Sequence, residues 1–345
     1  MHKPSIFEFD LRPLAEVDSL SQVQFQQEVR TAGQPVIVRG LVKEWPAVAA
    51  ARSGPNDIAD HLRSLDVGAR VPTFVARPEV QGRYFYSPDM RGFNYEKRDV
   101  PFSSVLDKLL EQMDRPEPMG IYAGASPATQ TLPNFSDQHT IDLVGADVVP
   151  KVWVGNGAQI APHFDISENI ACVVSGLRRF VIFPPDQIAN LYVGPIDHNM
   201  AGQPASLVDL HAIDFSIFPR FEHAVESALL AELHPGDAIY IPSLWWHFVQ
   251  STGPLNVLVN YWFDSMRHGS PMNVLGLALL VLRDLPEHDR AAWRLVFEHY
   301  IFGADATASS DHIPEQFRGV LGAPSPERDR KIKAFLASQL PAVLR

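Results

Sequence analysis

The sequence predicts a mainly β fold, a sandwich or barrel with flanking helices, and three observations point there. Short apolar runs crowd residues 148–263 and are punctuated by glycine and proline turns, without the strand–helix alternation of βαβ units. Twenty-nine prolines among 345 residues argue for many turns and against a long helical array. Helical periodicity is confined to short stretches before that region and to the last quarter of the chain. With 46% hydrophobic residues, the chain can bury one large core or two modest ones.

Taken in order, residues 17–32 (VDSLSQVQFQQEVRTA) predict a helix with Val23, Phe25 and Val29 on its apolar face. GQPVIVRGL predicts a strand entered through Gly33 and Pro35 and left at Gly40, and KEWPAVAA a turn into a short helix. Residues 71–90 are strand-like but irregular. Residues 102–113 (FSSVLDKLLEQM) repeat apolar side chains at helical spacing, and PMGIYAG opens a strand after a proline-rich loop. The dense region then supplies KVWVG, ENIACVVSG, RRFVIFPP, DAIYIP, HFVQS and NVLVNYWF as strands. From about Pro271 the texture turns helical, in MNVLGLALLVLRDL, EHDRAAWRLVFEHYIFG and a last helix from Pro326 to Leu344. Leu275, Leu279 and Leu282 share one face there, and Trp293, Phe297 and Tyr300 another. Such faces suit packing on the chain's own core or a homodimer. The organisation expected is therefore residues 1–270 as one domain and 271–345 as a helical region and candidate dimerisation element.

Composition narrows the function. A formal net charge of −11 disfavours nucleic acid, whose phosphates call for a basic surface, and favours a polypeptide or small-molecule substrate. Cys172 is the only cysteine, which excludes an intramolecular disulfide and a cysteine-built zinc site, and its apolar neighbours mark it as a core residue. The N-terminus shows no apolar signal core, and the most apolar run, Val274 to Leu282, is far shorter than the ~20 residues of a membrane span. A cytoplasmic setting without membrane contact is the expectation. GNG at 155–157 lacks the context of a nucleotide loop and reads as a turn, and no nucleophile elbow appears.

One stretch carries chemistry. In PHFD, His163 and Asp165 stand at i and i+2, which on an extended strand turns both to one side. A metal needs a third ligand, and HPGDAIYIPSLWWHFVQS offers His247 at the head of another strand. Two histidines and one carboxylate on neighbouring strands can take three vertices of one octahedral face and leave three open, as in non-haem Fe(II) oxygenases.

The pieces PVIVRGLVKEWPA, VWVGNGAQIAPHFD, NIACVVSGLRRFVIFPP, PGDAIYIPSLWWH and VNYWF, in that order, resemble the JmjC-type, cupin-like family of Fe(II)- and 2-oxoglutarate-dependent oxygenases. In pattern they are similar to its asparaginyl hydroxylase and bacterial cupin-like members, over about two thirds of the chain. The resemblance implies a double-stranded β-helix with the metal at its open end. It places the metal ligands, and so the catalytic centre, on His163, Asp165 and His247, and puts Asn169 and Asn260 in the pocket. It also implies a cation that neutralises the far carboxylate of the 2-oxoglutarate cosubstrate. That slot holds Arg178, where relatives usually have lysine; arginine can grip a carboxylate through two parallel hydrogen bonds. Strand alternation predicts that Arg178 and Arg179 face opposite ways. Relatives commonly carry a hydroxyl three positions before the first histidine, and here Ile160 stands instead; Tyr122 in GIYAG matches a tyrosine whose hydroxyl helps in the hydroxylase, so that it can compensate here. The activity implied is Fe(II)- and 2-oxoglutarate-dependent hydroxylation of a protein or peptide side chain, with a small molecule and, disfavoured by the acidic balance, a modified RNA base as the other substrate classes. The competing readings are a cupin-fold binding protein that keeps its metal without turnover, and a zinc- or manganese-dependent cupin hydrolase or isomerase.

Overall fold

Two long segments, Glu168–Phe183 and Trp246–Phe263, organise the first part of the chain, and both are rich in the β-branched and aromatic residues that favour strands. The computed structural model describes residues 2–200, 202–263 and 269–343. By internal contacts the chain divides into Met1–Met266 and Arg267–Arg345.

The strands of the first unit are β1 (Arg12–Pro13), β2 (Glu16–Val17), β3 (Val36–Val38), β4 (Arg70–Ala76), β5 (Arg83–Tyr84), β6 (Tyr95–Pro101), β7 (Gly120–Pro127), β8 (Lys151–Gly155), β9 (Ala158–Phe164), β10 (Glu168–Phe183), β11 (Leu229–Leu233), β12 (Ala238–Ile241) and β13 (Trp246–Phe263). All thirteen are hydrogen-bonded into one sheet system. β10 and β13 run antiparallel, with Glu168 opposite Phe263 and Phe183 opposite Trp246. Each serves two sheet faces. Asn169–Cys172 also pair with β12 while Arg178–Ile182 pair with β11, and the two halves of β13 pair with β9 and β8. This mainly β architecture is the expected one.

Gly176 makes the change of partner possible. Its φ of +79° lies in the left-handed region, and a Cβ there would overlap the Asn256 amide. The β10–β13 ladder slips register on both sides of Ser175, so the strands bend without ending. Hence the two expected strands ENIACVVSG and RRFVIFPP are one, as are HFVQS and NVLVNYWF.

Alternation decides which side chains turn inward. Ile170, Cys172 and Val174 face the helical side, packed with Phe25, Trp45, Ile58, Leu62, Phe102 and Leu106. Ala171, Val173, Phe180 and Ile182 point to the other face, with Ile239, Ile241 and Leu258. The helix expected over 17–32 covers residues 22–32, starting from a Ser21–Gln24 capping box, passing through a π-helical turn at Phe25–Val29, and ending at Gly33. Phe25 is buried, but Val23 is exposed, because two residues turn a helix by about 200° and carry it off the buried face. The helix expected at 102–113 is Phe102–Gln112.

The second unit contains helices Pro271–Val281, Glu287–Phe297 with a π-helical extension to Phe302, and Pro326–Val343. The expected end at Leu344 lies outside the described residues. Leu282 falls just past its helix, and exposed Val274, Leu275, Leu280 and Val281 surround that helix rather than forming a stripe. No helix among the described residues is long and apolar enough to cross a membrane.

Candidate metal centre

Register brings the two histidines together. His163 on β9 lies directly opposite His247 on β13, and their ring centroids are 4.4 Å apart. Each imidazole is held from behind: His163 Nδ1 faces the Ala161 carbonyl oxygen at 2.9 Å, and His247 Nδ1 faces that of Trp245 at 3.1 Å. A proton on Nδ1 that donates to the carbonyl leaves Nε2 with its lone pair forward, the tautomer a metal ligand needs. Burial, with His163 alongside, pushes the His247 pKa down to about 4, so this imidazole is neutral at neutral pH.

Asp165 follows the end of β9 instead of lying within it, so the i, i+2 strand geometry is not what aims it. Its backbone carbonyl accepts from Leu244 N at 2.9 Å, which ties it to the loop before β13. Its Oδ2 accepts from Trp262 Nε1 at 3.0 Å and from Asn169 Nδ2 at 3.2 Å. Asn169 Oδ1 in turn accepts from Asn260 Nδ2 at 3.2 Å, and Asn260 Oδ1 from Trp153 Nε1 at 2.6 Å. Trp262 and Asn169 therefore fix the carboxylate directly, with Asn260 and Trp153 behind them, and its Oδ2 lies 3.8 Å from His247 Nε2. Asn169 and Asn260 were expected at the pocket and line it, but here their amides bond to each other and towards Asp165. Neither indole was expected from the sequence. Trp153 fits only because position 124 is glycine, where a Cβ would overlap its ring.

One ligand atom from each of His163, Asp165 and His247 lies within 4.8 Å of the others, close enough for a single ion to reach all three. The donor set suits a divalent transition ion. All three residues line the same cavity, about 150 Å³, together with Phe74, Tyr95, Trp153 and Trp262.

Arg178 also lines this cavity, at 3% exposure, while Arg179 is 38% exposed along its side chain and donates to Glu232 Oε1 at 2.6 Å. The opposite facing expected from alternation is what is found. Arg178 interacts with the Tyr122 phenol, whose pKa burial pushes up to about 12 although the guanidinium opposes the shift. Tyr122 and Arg178 thus stand together on the cavity wall, and Ile160 lies on it as well. Arg178 Nε is buried without a hydrogen-bond partner. An uncompensated cation is costly in a closed space, so a carboxylate is the ligand this wall is suited to.

Other residues have structural surroundings. Cys172 is fully buried, which raises its thiol pKa. Trp245 and Trp246 are buried packing residues, and His234 is exposed in a turn.

Comparison with known proteins adds to this geometry. Residues 22–268 match the family described as a cupin-like domain. A Drosophila melanogaster protein named Jumonji C domain-containing protein 5 is 25% identical over 268 residues, 73% of this chain and 60% of its own length. The Arabidopsis thaliana lysine-specific demethylase JMJ31 is 26% identical over 281 residues, covering 72% and 49% of the two chains. The Homo sapiens bifunctional peptidase and (3S)-lysyl hydroxylase JMJD7 is 25% identical over 268 residues, covering 70% and 81%. The first two relatives are therefore spanned for less than two thirds of their own length.

Proposed function

We infer the activity from one premise: this chain belongs to the cupin-like, JmjC-type family of Fe(II)- and 2-oxoglutarate-dependent oxygenases. On that premise we propose that it is a hydroxylase acting on a protein or peptide side chain. The carrying observation is that His163, Asp165 and His247 converge at a cavity whose wall holds the buried guanidinium of Arg178.

In this reading His163 and His247 hold the ion through Nε2, and Asp165 through the carboxylate that Trp262 and Asn169 orient. When bound, iron supplies the oxidative chemistry: a C–H bond, dioxygen and 2-oxoglutarate become C–OH, succinate and carbon dioxide. The chain's own part is placement and exclusion. The carbonyls of Ala161 and Trp245 keep both imidazoles in one tautomer. Arg178 neutralises the distal carboxylate of the cosubstrate, and Tyr122 orients the guanidinium. Phe74, Tyr95, Trp153 and Trp262 make the surrounding wall apolar and limit water.

A protein or peptide substrate is supported by relatives named as a lysyl hydroxylase and a lysine-specific demethylase. The chain's net charge of −11 suits a basic segment better than a nucleic acid. A homodimer through the C-terminal helices belongs to the same proposal, supported by the exposure of Trp293 and Tyr300, which share the second expected face. Ile160, which brings no hydroxyl to the cavity, favours a second reading: a metal-binding protein without turnover.

One assay separates the two. Protein given Fe(II), ascorbate and 2-oxoglutarate without substrate should release succinate slowly, and chelation should stop it. No succinate above a metal-free control would refute the oxygenase reading and favour the binding protein.

A further inference from the structure

Among the described residues, two that line the cavity carry a buried polar atom with no hydrogen-bond partner: Arg178, at Nε, and Tyr84, at its hydroxyl. Tyr84 belongs to an irregular stretch of sequence that predicts no role for it. On β5 it pairs in parallel register with Ile160 of β9, so its side chain stands beside the cavity residue that has no hydroxyl of its own. Its ring lies 5.7 Å from that of Tyr122, and the residue is 4% exposed. The glycine at position 120 leaves room for the phenol, since a Cβ there would come within 3.0 Å of the Tyr84 oxygen. Burial raises the pKa of Tyr84, so the group is a neutral donor.

Buried donors left unpaired are rare and costly. Two on one cavity wall, one of them a cation, call for an anion with at least two acceptor oxygens. We propose that the Tyr84 hydroxyl and the Arg178 guanidinium together receive the distal carboxylate of a 2-oxo diacid, an assignment that rests on the oxygenase reading above. Tyr84 then supplies from the neighbouring strand what position 160 does not. It selects for a diacid: a 2-oxo acid without the second carboxylate leaves both donors unpaired.

The test is binding, not turnover. Manganese-loaded wild type and Tyr84→Phe are titrated calorimetrically with 2-oxoglutarate and with 2-oxovalerate, which has the same carbon chain and no distal carboxylate. The substitution should weaken 2-oxoglutarate about ten- to a hundredfold, the range for a hydrogen bond to a charged group. It should leave 2-oxovalerate unchanged. The thermal midpoint of the ligand-free variant should equal or exceed that of wild type, because an unpaired donor has been removed. Unchanged 2-oxoglutarate affinity, an equal loss for both acids, or a lower midpoint would overturn the assignment. If metal-loaded wild type binds neither acid, the oxygenase reading fails and takes the assignment with it; if wild type binds and the variant matches it, only the Tyr84 assignment falls.

Discussion

Replacing Arg178 by methionine isolates the cosubstrate anchor. Arg178 is 3% exposed, its Nε has no partner, and the polar group that interacts with it is the neutral Tyr122 phenol. Before any ligand binds, such a cation is a burden on the fold. Exchanging buried ionic groups for packed apolar ones is neutral or stabilising by about 1–4 kcal/mol. Methionine is unbranched and flexible enough to fill much of the same space. The Tyr122 hydroxyl loses its partner in the exchange, which costs about 1 kcal/mol. The ligand-free variant should therefore gain about 0–3 kcal/mol, each worth about 2–4 °C in a unit of this size. Ligand response should move the other way. At a hundredfold excess over Kd, 2-oxoglutarate stabilises a binding-competent protein by about 2.7 kcal/mol, and the variant should show none of it. Thermal melts of the manganese-loaded proteins, with and without 2-oxoglutarate, read both effects. A variant clearly less stable than wild type, yet still stabilised by 2-oxoglutarate, would show that Arg178 is a packing residue and that the anchor lies elsewhere.

Two further outcomes are expected. Trp262→Phe removes the indole donor from Asp165 Oδ2 and keeps an aromatic ring in place, so metal affinity should fall about 10–100-fold while thermal stability changes little; unchanged affinity would mean that the indole only packs. His139 is buried against Phe135 and Trp45, accepts from Ala47 N and faces the Phe135 carbonyl, and desolvation holds its pKa at about 4, below the ordinary 6.5. A depressed folded-state pKa means that the unfolded chain takes up the proton first. The stabilising contribution is thus complete above about pH 6.5 and is lost as pH falls towards 4, with His61 beside it shifted in the same direction. Urea midpoints should be level above neutrality and drop between pH 6.5 and 4, less steeply in His139→Gln; a flat wild-type profile would contradict this.

What the sequence discloses depends on how local its cause is. The pair His163 and Asp165 and the distant His247 are legible because a metal restricts both residue type and spacing. Alternation along a strand was enough to separate Arg178 from Arg179. The continuity of β10 and β13 was not legible, because a glycine such as Gly176 reads as a strand end although here it lets a paired strand bend. Long-range register hid the rest. Tyr84 reaches the cavity only through pairing with Ile160, and the chain of Trp153, Asn260 and Asn169 exists only once β8, β10 and β13 are side by side. Asp165 shows both limits. Its identity was readable, but its aim comes from Trp262 and Asn169 and not from strand geometry.

Anaerobic titration with Fe(II) bears most directly on the centre itself. Wild type should take up one ion per chain and Asp165→Ala should lose that site while melting as a folded protein. Equal uptake by both, or none by wild type, would contradict a centre built from His163, Asp165 and His247.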